Sequence, residues 1–95
     1  MVQEEHWKKL SLAEQMGNIG SEFHRWQNTK SDKSFEEVLS LLDLTIADKR
    51  WSQKLRELTR LREVICDIAQ GAKLYDANPE TLDQYFLDFG MIARK

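Results

Sequence analysis

Residues 11–27, SLAEQMGNIGSEFHRWQ, decide the fold of this chain. They contain two series of residues spaced by three or four positions, which is the spacing of successive turns on one face of an α-helix. The apolar series forms a stripe: Leu12, Met16, Ile19, Phe23 and Trp26. The second series lies about 120–160° round the helix from Ile19 and consists mostly of small residues: Ala13, Gly17, Gly20 and His24. A helix contacted on two sides in this way belongs inside a bundle or at a subunit interface.

Three further segments have the pattern of amphipathic helices. A polar loop over residues 28–33 is followed by a capping-box sequence, Ser34-Phe35-Glu36-Glu37, which predicts a helix from Ser34 to about Ala47. Asp48 is the predicted cap of a third main helix, although a continuous or kinked helix through it stays open, and Gly71 closes that helix. Asn78-Pro79 opens the last helix.

These elements predict an all-α fold, a compact antiparallel bundle of four main helices. No stretch alternates apolar and polar residues over the length of a strand. Ser11 and Glu14 form a capping box at the start of the first main helix. Residues 1–10 are expected to form a short helix or an arm, anchored by Trp7 and Leu10.

Length and composition indicate one soluble domain over residues 1–95. A chain of 95 residues, 41% hydrophobic and 32% charged, is long enough for one core but not for a second lobe. The net charge of −2 gives no general attraction to nucleic acid or to membranes. Cys66 is the single cysteine, and no apolar run reaches the ~20 residues that span a bilayer. We therefore expect a reduced, cytoplasmic protein without a signal peptide.

Few side chains have the spacing that catalysis or metal binding requires. Glu22 and His24 are two positions apart, which places them about 200° apart on a helix, so they cannot share a metal ion. No acidic residue lies three or four positions from His24 to orient it as a general acid or base. Cys66 is expected to be a small core residue. We expect no catalytic residue, no metal and no cofactor, and an enzyme using His24 or carboxylates such as Glu37 is the weakest hypothesis.

The favoured hypothesis is a non-catalytic interaction module that associates with itself. Apolar residues also lie off the main faces of the second and last helices, at Leu41, Leu44, Leu87 and Met91. A small core cannot easily bury two faces of every helix, so this surplus indicates a homo-oligomer, with a dimer favoured. The candidate interface combines the small-residue face of the first main helix with the extra leucines of the second: Ala13, Gly17, Gly20, His24, Leu41 and Leu44. A different protein partner stays open, and contact with a membrane is not expected.

The alternative hypothesis is an RNA- or DNA-associated protein that uses a basic stripe on the third main helix. The stripe and its neighbours comprise Lys49, Arg50, Lys54, Arg56 and Arg60. Such cations can bind a phosphate backbone, and Trp51 could stack on a base. Glu57 and Glu63 interrupt the stripe, so a solvated face paired with acidic residues ranks above nucleic-acid binding.

Several stretches resemble known protein families. Residues 10–22, LSLAEQMGNIGSE, and residues 41–48, LLDLTIAD, resemble a family of small, uncharacterised prokaryotic all-helical proteins, as do the Leu58–Cys66 segment and Tyr85-Phe86. Residues 18–22, NIGSE, are also similar, more weakly, to four-helix proteins encoded by intervening sequences of bacterial ribosomal RNA genes. The first resemblance implies no assigned activity, and the second implies a fold of four helices.

Overall fold

The computed structural model describes residues 4–71 and 78–93, with residues 90–93 described by their backbone only. Within these residues the chain forms five α-helices and one 3₁₀ segment, and no strand: α1 (Glu4–Trp7), α2 (Leu12–Thr29), α3 (Asp32–Ala47), the 3₁₀ segment (Lys49–Lys54), α4 (Leu55–Ala69) and α5 (Pro79–Ala93). The predicted all-α bundle of four main helices, preceded by a short helix, is therefore confirmed.

At three of the predicted helix ends, the capping or terminating residue is the one that the sequence indicated. The Ser11 hydroxyl accepts the backbone N–H of Glu14 at 3.1 Å, and the Glu14 carboxylate accepts the N–H of Ser11 at 2.9 Å. The side-chain oxygen of Asn78 accepts the N–H of Glu80 at 2.8 Å. Gly71 follows α4 with a φ of 101°, a backbone conformation that glycine adopts without steric cost.

The start of α3 differs from the predicted one. Ser31, and not Ser34, caps this helix, because the Ser31 hydroxyl accepts the N–H of Ser34 at 3.5 Å. Lys30 ends α2 with a left-handed backbone (φ 54°). The connection between α2 and α3 is thus much shorter than the predicted polar loop, and Ser34 is buried in the first turn of α3.

The predicted third main helix is divided into two parts. Asp48 ends α3, and its carboxylate accepts the N–H of Arg50 at 3.0 Å at the start of the 3₁₀ segment. Trp51 inside this segment has φ −106° and ψ 22°, which lie outside the α-helical region, and a regular α-helix begins only at Leu55. The expected connector after Gly71, residues 72–77 with Leu74 and Tyr75, lies outside the described residues.

The core lies on both sides of α2, which packs antiparallel to α3 and to α5. Trp26, near the end of α2, packs against Phe35, near the start of α3, with ring centroids 4.8 Å apart. Phe23 packs against Phe86 of α5 at 5.6 Å. The other buried apolar residues are Trp7, Met16, Ile19, Val38, Leu41, Leu42, Leu58, Leu61 and Ile65. In the described part of the chain, none of the helices combines the length and the apolar character needed to cross a membrane.

Candidate functional site

Part of the small-residue face of α2 is covered by α5 of the same chain. A Cβ atom built on Gly20 would lie 2.3 Å from the Cβ and 2.8 Å from the Cγ of Phe86. These separations are far shorter than the ~3.5–4.0 Å of an ordinary carbon–carbon contact, so only glycine lets α5 approach this closely. The close approach that Gly20 permits is thus used inside the chain, and its place at a subunit interface stays a prediction.

The uncovered part of this face lines an open groove between α2 and α5 of about 530 Å³. We call it the α2–α5 groove, and its lining residues are Gly17, Gly20, Ser21, His24, Glu80, Asp83, Gln84, Phe86 and Leu87. Leu87 is 52% exposed, and Leu55 (45%) is the other strongly exposed large apolar residue in the described part of the chain. The groove thus brings Gly17 and His24 together with Leu87, which the sequence had placed off the main face of its helix.

His24 has an acidic partner that sequence reasoning missed. Its Nδ1 lies 3.4 Å from a carboxylate oxygen of Asp83, which is 59 positions further along the chain. The side chains are 64% and 33% exposed. A long contact between accessible groups holds the imidazole only weakly. Helical spacing identifies only partners on the same helix. It could therefore not indicate that a carboxylate of α5 lies beside His24.

The groove lacks an organised nucleophile in the part of the chain that the structure describes. The hydroxyl of Ser21 donates to the backbone carbonyl of Gly17 at 3.2 Å, so it is directed toward its own helix. No group of three or more His, Cys, Asp and Glu side chains in the described ranges could hold a metal ion. The groups that the groove presents are an exposed leucine, a histidine and carboxylates.

The other interface candidates lie elsewhere. Ala13 is half-buried on α2 and does not line the groove, and Leu44 is half-buried and packs against the core. Leu41 is only 2% exposed. The expectation that Leu41 belongs to a surplus surface is therefore corrected, because α3 is contacted by α4 as well as by α2 and buries side chains on both sides.

A second groove of about 550 Å³ lies between α2 and α3. It is lined mostly by polar side chains, including Glu37, which the enzyme hypothesis had named. Two of its charged side chains, Arg25 and Glu22, already pair with each other at 3.3 Å. This groove has neither the apolar lining nor the exposed leucine of the α2–α5 groove.

The five basic residues of the nucleic-acid hypothesis differ in whether their side chains already interact with other residues of the chain. Lys49, Lys54 and Arg56 are exposed on the 3₁₀ segment and the first turn of α4. Arg60 is exposed one turn further along α4 and already has an interaction partner. Only the first three are therefore available without rearrangement.

Arg50 is held in place by its surroundings. Its guanidinium donates to both carboxylate oxygens of Asp48, at 2.7–3.1 Å, and to the backbone carbonyl of Leu10 at 3.1 Å. The hydrogen bonds between the two side chains lower the pKa of Asp48 and raise the pKa of Arg50. The guanidinium also lies 4.5 Å from the ring centroid of Trp51. Arg50 is thus held by contacts within the chain, and its side chain is 42% exposed.

A buried polar network around Gln15 fixes this region, and sequence reasoning missed it. The indole N–H of Trp51 donates to the Gln15 side-chain oxygen at 3.0 Å, and the Gln15 amide donates to the Trp7 carbonyl at 2.8 Å. The Trp7 indole donates to the Thr45 hydroxyl at 3.1 Å. Gln15 and Thr45 are completely buried. Trp7 and Trp51 were the one indication of this network in the sequence. A buried indole N–H needs an acceptor, so two tryptophans packed at the core require polar partners there.

Comparison of the chain with protein-family models, curated proteins and solved structures finds no significant match.

Proposed function

We propose that this protein is a non-catalytic helical interaction module that self-associates through the α2–α5 groove. The observation that carries the proposal is the exposure of Leu87 in a groove where Gly17 contributes no side chain. A large apolar side chain beside a small-residue position gives a surface that can accept another helix. We also propose that the protein acts in the cytoplasm, where Cys66 stays reduced.

A second copy of the chain is the partner that we propose for the groove. In a twofold dimer both subunits use the same surface, so this surface must contain a projecting group and a recess that accepts it. Leu87 supplies the projecting group, and Gly17 and Ser21 supply the small residues of the recess. The groove also contains polar groups that can pair across a twofold axis, since His24 of one copy can face the Glu80 carboxylate of the other.

The exposed leucine sets the size of the expected effect. Complete burial of a leucine contributes about 1.5–3 kcal/mol, so burying the exposed half of Leu87 contributes about 1 kcal/mol per subunit. A twofold dimer buries two such side chains, which gives about 2 kcal/mol or a roughly 30-fold change in the dissociation constant.

The experiment compares Leu87→Lys with Leu55→Lys by light scattering during gel filtration. The two leucines are similarly exposed, and both variants add one positive charge, so the second is a matched control. We expect wild type and Leu55→Lys to elute as dimers, and Leu87→Lys to dissociate at concentrations where the other two stay associated. Equal masses for the two variants would refute the α2–α5 groove as the interface. Circular dichroism spectra check that each variant is folded.

A further inference from the structure

We infer that self-association through the α2–α5 groove is regulated by pH, and that protonation of His24 strengthens it. The inference rests on the proposed function, because it concerns the regulation of the same surface. The observation that carries it is the set of titratable side chains among the described lining residues. These are His24 on α2, and Glu80 and Asp83 on α5.

The charge of the groove changes between about pH 8 and pH 5.5. Aspartate and glutamate side chains ionise near pH 4, whereas histidine is the residue type that changes its charge between pH 5 and 8. Near pH 8 the described lining residues therefore carry two negative charges and no positive charge. Toward pH 5.5 they gain one positive charge, at His24.

The surroundings of His24 place carboxylates, and no other charged group, beside it in the groove as described. On α5, a carboxylate oxygen of Asp83 lies 3.4 Å from the imidazole Nδ1, and Glu80 lines the same groove. On α2, the positions one turn before and after His24 hold uncharged residues: Gly20, Ser21, Gln27 and Asn28. The next residue, Arg25, lines the α2–α3 groove and pairs there with Glu22 at 3.3 Å.

A twofold dimer doubles this imbalance of charge. Each groove lies against an identical groove, so four carboxylates meet at one interface while both imidazoles are neutral. Protonation of both imidazoles adds four attractions across the interface, two for each imidazole, and one repulsion between the imidazoles. The dimer therefore binds protons more tightly than two separate chains do. By linkage, the dissociation constant of the dimer falls as the pH falls.

The distance between packed helices sets the size of the effect. Helices in contact lie about 8–10 Å apart, and two unit charges at about 10 Å in water change an equilibrium constant by about twofold. A net gain of three such attractions corresponds to a roughly 8-fold lower dissociation constant without screening. At 0.01 M ionic strength this becomes about fourfold, and at 0.5 M it is nearly abolished.

The test measures the dissociation constant by sedimentation equilibrium at about pH 8 and pH 5.5, at 0.01 M ionic strength. For wild type we expect a roughly fourfold lower value at pH 5.5. His24→Gln keeps a polar side chain that does not titrate, and should have the same value at both pH values. His6→Gln is the matched control, because His6 is the other histidine of the chain and is exposed on α1, outside the groove. It should retain the dependence of wild type.

Glu80→Gln tests the carboxylates that the inference places across the interface. This variant removes one of the two negative charges from each groove, so fewer like charges meet near pH 8. We expect its dissociation constant at pH 8 to be lower than that of wild type. The ratio between the two pH values should fall to about twofold or less, because each protonated imidazole then meets one carboxylate of the other copy.

Other outcomes would overturn the inference. A wild-type dissociation constant that is equal at both pH values, or lower at pH 8, would exclude this regulation while leaving self-association in place. Loss of the dependence in His6→Gln, or its retention in His24→Gln, would assign the effect to a group outside the groove. A monomer at both pH values would refute the proposed function and this inference with it. Circular dichroism at both pH values confirms that each variant is folded.

Discussion

The replacement of Gly20 by alanine tests the packing of α5 on α2. The new Cβ would lie 2.3 Å from the Cβ of Phe86, so the two helices must separate locally by more than ~1 Å to reach an ordinary contact. Overpacking costs about 1–3 kcal/mol, and the upper part of this range applies because both Cβ atoms are fixed to the backbone. Alanine is favoured over glycine inside a helix by about 1 kcal/mol. The expected net loss is therefore about 2 kcal/mol.

Thermal unfolding followed by circular dichroism measures this loss as a decrease in Tm of roughly 8–16 °C for a domain of this size. Gly17→Ala is the matched control, since Gly17 is in the same helix, one turn earlier, and lines the open groove. At dilutions where the chain is monomeric, so that the proposed interface does not contribute, this variant should keep or raise the wild-type Tm, because it gains the helix preference of alanine without the contact to Phe86. A Tm of Gly20→Ala at or above that of wild type would refute the close packing of α5 against Gly20.

Two further predictions concern the buried network and the ion pair beside it. Gln15→Leu leaves the indole N–H of Trp51 without its acceptor, so we expect the free energy of unfolding in urea to fall by about 1–3 kcal/mol, and an unchanged urea midpoint would argue against the network. Asp48→Asn keeps a capping side chain and removes the charge that pairs with Arg50. Because the folded-state pKa of Asp48 is lowered, its stabilisation is present above the unfolded-state value of about 3.9 and is lost as the pH falls through the folded-state value. Urea unfolding should therefore show Asp48→Asn to be less stable than wild type at pH 7 and the difference to shrink at pH 2, and an equal difference at both pH values would contradict this reasoning.

The helices and several of their ends could be predicted from the sequence because the causes are local. The apolar stripe of α2 has the helical period, and Ser11 and Asn78 lie within a few residues of the N–H groups that they cap. At α3, two serines could cap, and the choice of Ser31 accompanies the burial of Ser34 in the packed bundle. Periodicity cannot decide between such competing caps.

The features that sequence reasoning missed depend on residues far apart in the chain. The break at Trp51 accompanies a hydrogen bond to Gln15, which is 36 positions away. The partner of His24 comes from α5. The small-residue face correctly indicated that a helix approaches α2, but spacing alone cannot show whether this helix belongs to the same chain. At Gly20 the approaching helix is α5 of the same chain, since Phe86 packs directly against this glycine.

The most direct test of self-association is the molar mass of the wild-type protein, measured by light scattering over a dilution series. The proposal predicts a mass of twice the 11.2 kDa chain at high concentration, which falls toward the mass of one chain on dilution. A mass of 11.2 kDa at every concentration would contradict self-association through the α2–α5 groove.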